Sequence, residues 1–342
     1  MIKEKLVDEE SRILYDIRND YYKTEDYVSF MRKILNLDKE WFILDKCFDN
    51  IRQAVEQKKE IIIYGCGMYG IHTKFALEAV GITVNYFCDS NIDLNGKTKE
   101  DIEIISPEEL VNNHSDAFVI ISMKKHSEHI YENLVERGFS EKSIVIPEDG
   151  ILVASCGWQY FDFFSPDKDE VFVDAGAYDG ETTLQFIKWA NSKFSSIYVL
   201  EPYEKVRNTL NKKLDGIPNL RFVYKAAWNK EQLLDFGGES ASFGIENKDD
   251  SVRISGAKID DIVGEDRVTF IKMDIEGSEY QALLGAENTI KKNKPKLAIC
   301  IYHKPEDITE LPSLIEKMVP DYKYAIRHYT AGTIETVLYA WI

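Results

Sequence analysis

Residues 171–180 read Val-Phe-Val-Asp-Ala-Gly-Ala-Tyr-Asp-Gly, an apolar run that ends on Asp174 and opens into a turn of small residues. A second apolar run, 196–200, ends on Glu201, 27 positions after Asp174. Two strands that each deliver a carboxylate at the C-terminal end suit a nucleoside ligand. The glycine turn lets backbone amides approach closely, and the second acid can accept both ribose hydroxyls.

The glycines separate the candidate ligands. A dinucleotide needs a diphosphate seat, normally Gly-x-Gly-x-x-Gly at a helix N-terminus. Residues 176–181 instead read Gly-Ala-Tyr-Asp-Gly-Glu, which places Asp179 and Glu181 where phosphate would sit. Two carboxylates there repel an anion and tolerate a sulfonium, which favours S-adenosylmethionine over NAD. Its expected contacts are Asp174, Gly176, Ala177, Tyr178, Gly180, Thr182, Glu201, Ala227 and Asp274. Thr182 and Thr183 fall on the first helical turn and could hold the methionine carboxylate, with helix capping as the ordinary alternative.

These residues need a sheet to carry them. Residues 220–227 read as a third strand ending on small residues, where an adenine ring could lie against the backbone. Residues 268–274 read as a fourth strand, ending on Asp274, and 297–303 as a fifth, ending on His303. Residues 322–329 and 336–341 alternate like a closing antiparallel pair around Ala331-Gly332. Strands alternating with helices imply a parallel sheet with ligands at the carboxyl ends of its strands. Asp174, Glu201, Ala227, Asp274 and His303 would share that rim.

The C-terminal half resembles the FkbM-type S-adenosylmethionine-dependent methyltransferases over about residues 170–342. The resemblance is carried by Phe172-Val173-Asp174-Ala175-Gly176-Ala177, by Leu200-Glu201-Pro202, by the block Lys272 to Glu279, and by Arg327-His328-Tyr329 with Glu335 to Ala340. The Asp-x-Glu-Gly-x-Glu run from Asp274 to Glu279 is its most specific part. It implies the seven-stranded sheet of class I methyltransferases and O-methyl transfer, often to sugars or sugar-bearing products. Tyr178 stands where family members often have Asn, which puts side-chain contacts at that turn in doubt but leaves backbone contacts in place.

An alcohol acceptor must lose a proton, to a side-chain base or through a metal that lowers its pKa. His303 and His328 are the natural bases at neutral pH, with Asp274 as the third catalytic candidate. A divalent cation such as magnesium would be held by Asp274 with Glu276, or with Glu279. Acids at a helix start also stabilise the helix, so Glu276 and Glu279 have an equally good structural explanation.

The N-terminal half carries an independent signal. The strand Ile61-Ile62-Ile63-Tyr64 enters Gly65-Cys66-Gly67-Met68-Tyr69-Gly70, and a second strand ends on Asp89, 19 positions past Gly70. Gly65, Gly67, Gly70 and Asp89 are the elements of a nucleotide site, for a nucleotide sugar, a dinucleotide, or no ligand at all if the module is a docking scaffold. The expected architecture is therefore α/β, with two Rossmann-like domains: a helical extension 1–58, a small Rossmann-like domain 59–150, and a methyltransferase domain 151–342.

The 342 residues carry a net charge of −17, which argues against a nucleic-acid partner. No run of 18 apolar residues and no signal-peptide pattern is present, and the five cysteines lack metal spacing, so a reduced cytoplasmic setting is expected. The expected partner is a carbohydrate or other small-molecule acceptor, with a homo-oligomer left open. A non-catalytic scaffold or sensor that binds S-adenosylmethionine or a nucleotide sugar is the alternative.

Overall fold

The computed structural model describes residues 2–37, 46–123, 126–147, 158–161, 163–236, 252–330 and 332–342. The chain divides into two compact units: Met1–Asn19 with Gly157–Tyr329 and Ile334–Ile342, and Asp20–Cys156 with Thr330–Thr333.

Three helices come first: α1 (Glu9–Thr24), α2 (Tyr27–Leu37) and α3 (Lys46–Glu56). Asp8 and Asp26 start the first two, accepting the Ser11 and Ser29 amides at 2.8 Å each, as N-caps do. The helical segment expected over 1–58 is not one body. Its first 19 residues group with the larger unit and the rest with the smaller.

The smaller unit continues through β1 (Ile61–Tyr64), α4 (Met68–Ala79), β2 (Tyr86–Cys88), β3 (Thr98–Lys99), β4 (Ile102–Ile105), α5 (Pro107–Asn113), β5 (Phe118–Ile121), α6 (Ser127–Glu136) and β6 (Ile144–Val145). Its sheet runs β3-β4-β2-β1-β5-β6, parallel except for the β3–β4 pair. All residues of β1 and β5 are buried, which is why both read as continuous apolar runs. The β3–β4 hairpin has no counterpart in the sequence reading, because a two-residue strand leaves no periodicity.

The larger unit contains β7 (Glu170–Ala175), α7 (Glu181–Trp189), β8 (Phe194–Leu200), α8 (Arg207–Lys213), β9 (Leu220–Val223), β10 (Ala226–Ala227), β11 (Gln232–Phe236), β12 (Val252–Ala257), α9 (Ile259–Val263), β13 (Phe270–Met273), α10 (Glu279–Leu284), α11 (Glu287–Asn293), β14 (Lys296–Cys300), α12 (Asp307–Met318), β15 (Lys323–His328) and β16 (Thr336–Trp341). Seven strands form one sheet in the order β15-β16-β14-β13-β7-β8-β9, with only β16 antiparallel to its neighbours. This is the seven-stranded, Rossmann-like sheet that the resemblance implied.

The third strand departs from expectation. Residues 220–227 break at Tyr224-Lys225, and β10 leaves the main sheet to pair with β12, which in turn pairs with β11. Ala227 therefore lies in a separate three-stranded sheet. The glycine- and serine-rich residues 237–244 and the expected domain boundary at 150 lie outside the described residues.

One face of the large sheet is packed with aromatic rings. Phe161, Phe164, Phe172, Phe186 and Trp189 set their centroids 5.2 to 6.5 Å from that of Phe270 on β13. Phe161 and Phe164 come from the segment before β7, so that segment belongs to the core of this unit. The edge strand β15 is closed by the first residues of the chain. The Val7 amide donates to Tyr324 O at 3.0 Å, the Ile326 amide donates to Ser11 Oγ at 2.9 Å, and Arg327 pairs with Asp8 at 2.8 Å. An edge covered in this way offers no free ladder to another chain.

The strand ends crowd at one point. A Cβ on Gly176, whose φ is +82°, would stand 1.8 Å from the carbonyl oxygen of Asp274. Only glycine lets β7 and β13 approach so closely.

Two stability measurements follow. Phe270→Ala should lower the unfolding free energy by about 3–5 kcal/mol, with a smaller loss for Phe270→Leu, both read from denaturant melts. Gly176→Ala should cost more than about 2 kcal/mol, because positive φ and backbone overlap act together; an unchanged melt would show that the strand ends can part freely.

Candidate active site

The carboxyl ends of β7, β8, β13 and β14 bring Asp174, Glu201, Asp274 and His303 to one rim. Beneath it lies Lys272, 1% exposed and beside Asp174 in the register of β13 and β7. Its Nζ donates to Gly176 O at 2.7 Å, reaches Ala175 O at 3.3 Å, and lies 3.2 Å from Asp174 Oδ1. Asp174 Oδ2 accepts from Thr183 Oγ1 at 2.7 Å. Burial alone would lower the Lys272 pKa, but Asp174 and Asp274 more than reverse this and raise it. Asp174 and Thr183 thus lie inside the fold and hold the glycine turn from below. The expectation that they touch a ligand directly gives way to this supporting position.

Glu201 is 5% exposed. Its Oε2 accepts the Tyr178 amide at 2.8 Å and its Oε1 the Tyr203 amide at 2.7 Å. Each carboxylate oxygen has a second lone pair, so one acceptor site per oxygen is left for a pair of hydroxyls. Burial raises the Glu201 pKa despite the two amides and Lys272. Gly176 and Gly180 take positive φ, as does Tyr178 at +47°, which leaves its ring exposed above the turn.

The acids placed at the phosphate position need a correction. Asp179 and Glu181 both pair with Lys213 at 2.8 Å, so they do not present two bare charges. Charge repulsion is therefore weaker than the sequence suggests. Asp179 Oδ1 also accepts the Glu181 amide at 3.1 Å, which occupies a donor that a diphosphate would use at this helix start. Thr182 is half-buried on the first turn of α7.

Asp274 is the most elaborately held acid on the rim. Its Oδ2 accepts from the Tyr160 hydroxyl at 2.8 Å, and its Oδ1 lies 3.2 Å from the Tyr302 hydroxyl and 3.4 Å from His303 Nε2. Burial alone would raise its pKa, but Lys272, His303 and the Tyr160 hydroxyl together hold it below the ordinary carboxylate value. It is ionised at neutral pH, and its side chain keeps 23% exposure. Glu335, just before β16, joins the same group. It accepts from Gln159 Nε2 and lies 3.5 Å from the Tyr302 hydroxyl, with its pKa raised by burial and by the charge on Asp274.

His303 does not stand as a free base. Burial would lower its pKa, but Glu279, Asp274 and Glu276 raise it to about 9, so the bare ring is protonated at neutral pH. Its Nδ1 lies 3.0 Å from Glu279 Oε1 and its Nε2 3.5 Å from Glu276 Oε2. Glu276 sits at φ +55°, in the turn before α10, and burial pushes its pKa up to about 7. It is outside the helix, so the helix-stabilising explanation applies only to Glu279, the first residue of α10.

His328 ends β15 on the same rim but is engaged elsewhere. Its Nδ1 lies 2.7 Å from Thr336 Oγ1, which also accepts from Arg18. The hydrogen bonds to Asp274 come instead from Tyr160 and Tyr302, and neither of these, nor Lys272 or Glu335, was singled out from the sequence. Lys272 and Glu335 do fall inside the family-like blocks, and Tyr302 directly precedes His303. Tyr160 is far from Asp274 in the chain and carries no motif.

In the smaller unit, Gly65, Gly67, Gly70 and Asp89 meet at the end of β1. A Cβ on Gly70 would stand 1.8 Å from Gly65 O, and Gly67 faces open space. Asp89 Oδ2 accepts the Cys66 amide at 3.1 Å and its Oδ1 the Asn91 amide at 2.9 Å. The acid expected to reach a ribose thus braces the turn itself, helped by Lys99, which donates to Cys66 O at 2.8 Å.

Residues 174–326 match the family model described as the methyltransferase FkbM domain, and residues 57–145 match one described as C2185-like, N-terminal. No curated protein matches the chain. Among solved structures, methyltransferase FkbM from Methylobacillus flagellatus KT is similar at 20% identity, covering 95% of this chain and 99% of its own, with a TM-score of 0.48. Aeropyrum pernix fibrillarin, solved with natively bound S-adenosyl-L-methionine, is similar at 10% identity over 51% of this chain and 67% of its own, with a TM-score of 0.35. UDP-D-quinovosamine 4-dehydrogenase from Vibrio fischeri is similar at 21% identity over 26% of this chain and 76% of its own, with a TM-score of 0.22. None of the described helices is long and apolar enough to cross a membrane. The segment that builds most of the seven-stranded sheet and its rim is thus the one that matches the methyltransferase FkbM domain model, residues 174–326.

Proposed function

We propose that the chain is an S-adenosylmethionine-dependent O-methyltransferase acting on a hydroxyl of a sugar, a nucleotide sugar or a glycosylated small molecule. The observation that carries this reading is the Asp274 carboxylate, held ionised and partly exposed on the rim of a methyltransferase FkbM domain.

The residues fit the cofactor. Glu201 keeps one free acceptor site on each oxygen for the ribose hydroxyls, and Gly176, Ala177 and Tyr178 bring backbone close to the same place. When bound, S-adenosylmethionine supplies an electrophilic methyl group on a sulfonium. The chain positions the acceptor oxygen for in-line attack and provides a proton acceptor beside it. Asp274 fills that second role, oriented by Tyr160 and Tyr302, whose phenols burial and the charge on Asp274 keep protonated. A cation beside Asp274 would serve the same end by lowering the pKa of the acceptor hydroxyl. His303 then acts by position and charge rather than as a free base, while His328 is engaged with Thr336. The smaller unit supports a sugar-bearing acceptor only through its glycine turn, since Asp89 is engaged within that turn.

Release of S-adenosylhomocysteine with one member of a panel of nucleotide sugars and glycosides tests the reading. Cofactor binding without turnover on any acceptor would favour the scaffold or sensor instead. Asp274→Asn should lower kcat by about 100-fold or more while leaving calorimetric cofactor binding in place; normal turnover would remove Asp274 from the mechanism.

Cofactor affinity should also depend on pH through Glu201. Its pKa is raised above 4.5 in the folded chain, so the ionised acceptor is present at higher pH and is lost as the pH falls through that raised value. Affinity should therefore weaken on acidification, and Glu201→Gln should be weaker throughout and show a flatter profile.

A further inference from the structure

We infer that Asp274, Glu279 and His303 form a binding site for a first-row divalent cation such as manganese, cobalt or zinc. One donor atom from each of the three lies within 4.8 Å of the others. Around an ion with bonds of 2.0–2.2 Å, ligand atoms stand about 2.9–4.4 Å apart, so the donors already lie near the spacing that a shared ion requires.

The cluster also carries an unmet demand. The His303 side chain is 8% exposed, yet neither ring nitrogen makes a hydrogen bond. Its Nδ1 is 3.0 Å from Glu279 Oε1, near enough for an ion pair but off the axis of an N–H···O bond. Glu279 is fully buried, and while its Oε1 accepts the Ile275 amide at 2.9 Å, its Oε2 has no partner. Buried polar atoms are normally satisfied, and buried carboxylates are paired or bound to metal. A cation placed among these atoms takes one imidazole nitrogen together with Glu279, and so meets two of the three orphaned positions.

The donor set argues for the class of ion. Two carboxylates and an imidazole suit first-row transition ions better than magnesium or calcium, which favour oxygen throughout. Of the two acids that the sequence offers beside Asp274, the site takes Glu279 rather than Glu276, and it adds His303. Glu276 Oε2 is 3.5 Å from His303 Nε2 and stands beside the site. The role of the ion rests on the methyltransferase reading: bound at Asp274, it would take the acceptor hydroxyl and make it easier to deprotonate. Its binding does not rest on that reading.

The test uses the full chain, stripped with a chelator and titrated with manganese while the free-ion paramagnetic resonance signal is followed. One equivalent should bind. Glu279→Gln and His303→Asn should each weaken binding by about 10-fold or more, while Glu231→Gln, an exposed acid away from the rim, should leave it unchanged. Because the two buried variants may disturb folding, zinc is also added to the unaltered protein and the histidine ring nitrogens are followed by NMR, where one resonance assigned to His303 should move. Absence of manganese, cobalt and zinc binding, retention of binding in both variants, or a His303 resonance indifferent to zinc would each overturn the proposal. S-adenosylmethionine calorimetry on the same sample separates the two ideas: cofactor binding without metal binding discards the cation site alone, and loss of both discards the methyltransferase reading.

Discussion

The rim depends on one buried cation. Lys272 stands in the middle strand pair with almost no solvent, and its ammonium reaches Asp174 and the carbonyl oxygens of Ala175 and Gly176. A buried charge of this kind is costly unless several acceptors compensate it. Here the compensation also fixes geometry, because those acceptors are the end of β7 and the start of the glycine turn. The Tyr160 ring lies under the same ammonium at 5.3 Å, and its hydroxyl carries the constraint on to Asp274. One positive charge therefore sets the positions of the turn that faces a nucleoside and of the acid that faces the acceptor.

The aromatic layer explains why that charge can be held still. Phe172 and Phe270 sit two residues before Asp174 and Lys272 on the same strands, so they share a face with the ion pair. Rings from the segment before β7 complete the layer. Electrostatics at the top of the sheet and packing below it are successive positions of the same two strands.

Much of this was legible in the chain. Apolar runs closing on Asp174, Glu201 and Asp274 located the strands and their rim, since a strand buried on both faces is mostly apolar and its functional acids collect near its carboxyl end. The Gly65 to Gly70 turn was legible for a similar reason, because a close backbone approach leaves room only for glycine. Contacts made across long stretches of sequence were not. Nothing near Tyr160 or Glu335 indicates that either meets Asp274, and nothing in 220–227 reveals that Ala226 leaves one sheet for another. Charges were misjudged where a partner came from another element: Lys213 on α8 neutralises part of the Asp179 and Glu181 pair, and Thr336 with Arg18 engages His328.

The strap of residues 6–11 on β15 has a consequence for how the protein is made. Ser11 and Ile326 are 315 positions apart, and the main stretch of the smaller unit, Asp20–Cys156, lies between them in the chain. Residues 6–11 are synthesised before β15 but find their place only after β15 has been made. Until then the edge of the sheet is unformed and its covering segment is unoccupied, while the intervening unit is free to fold on its own. Closing so wide a loop is slow compared with local folding. Completion of this edge thus waits on a contact between distant parts of the chain, whatever the speed at which the individual strands and helices form.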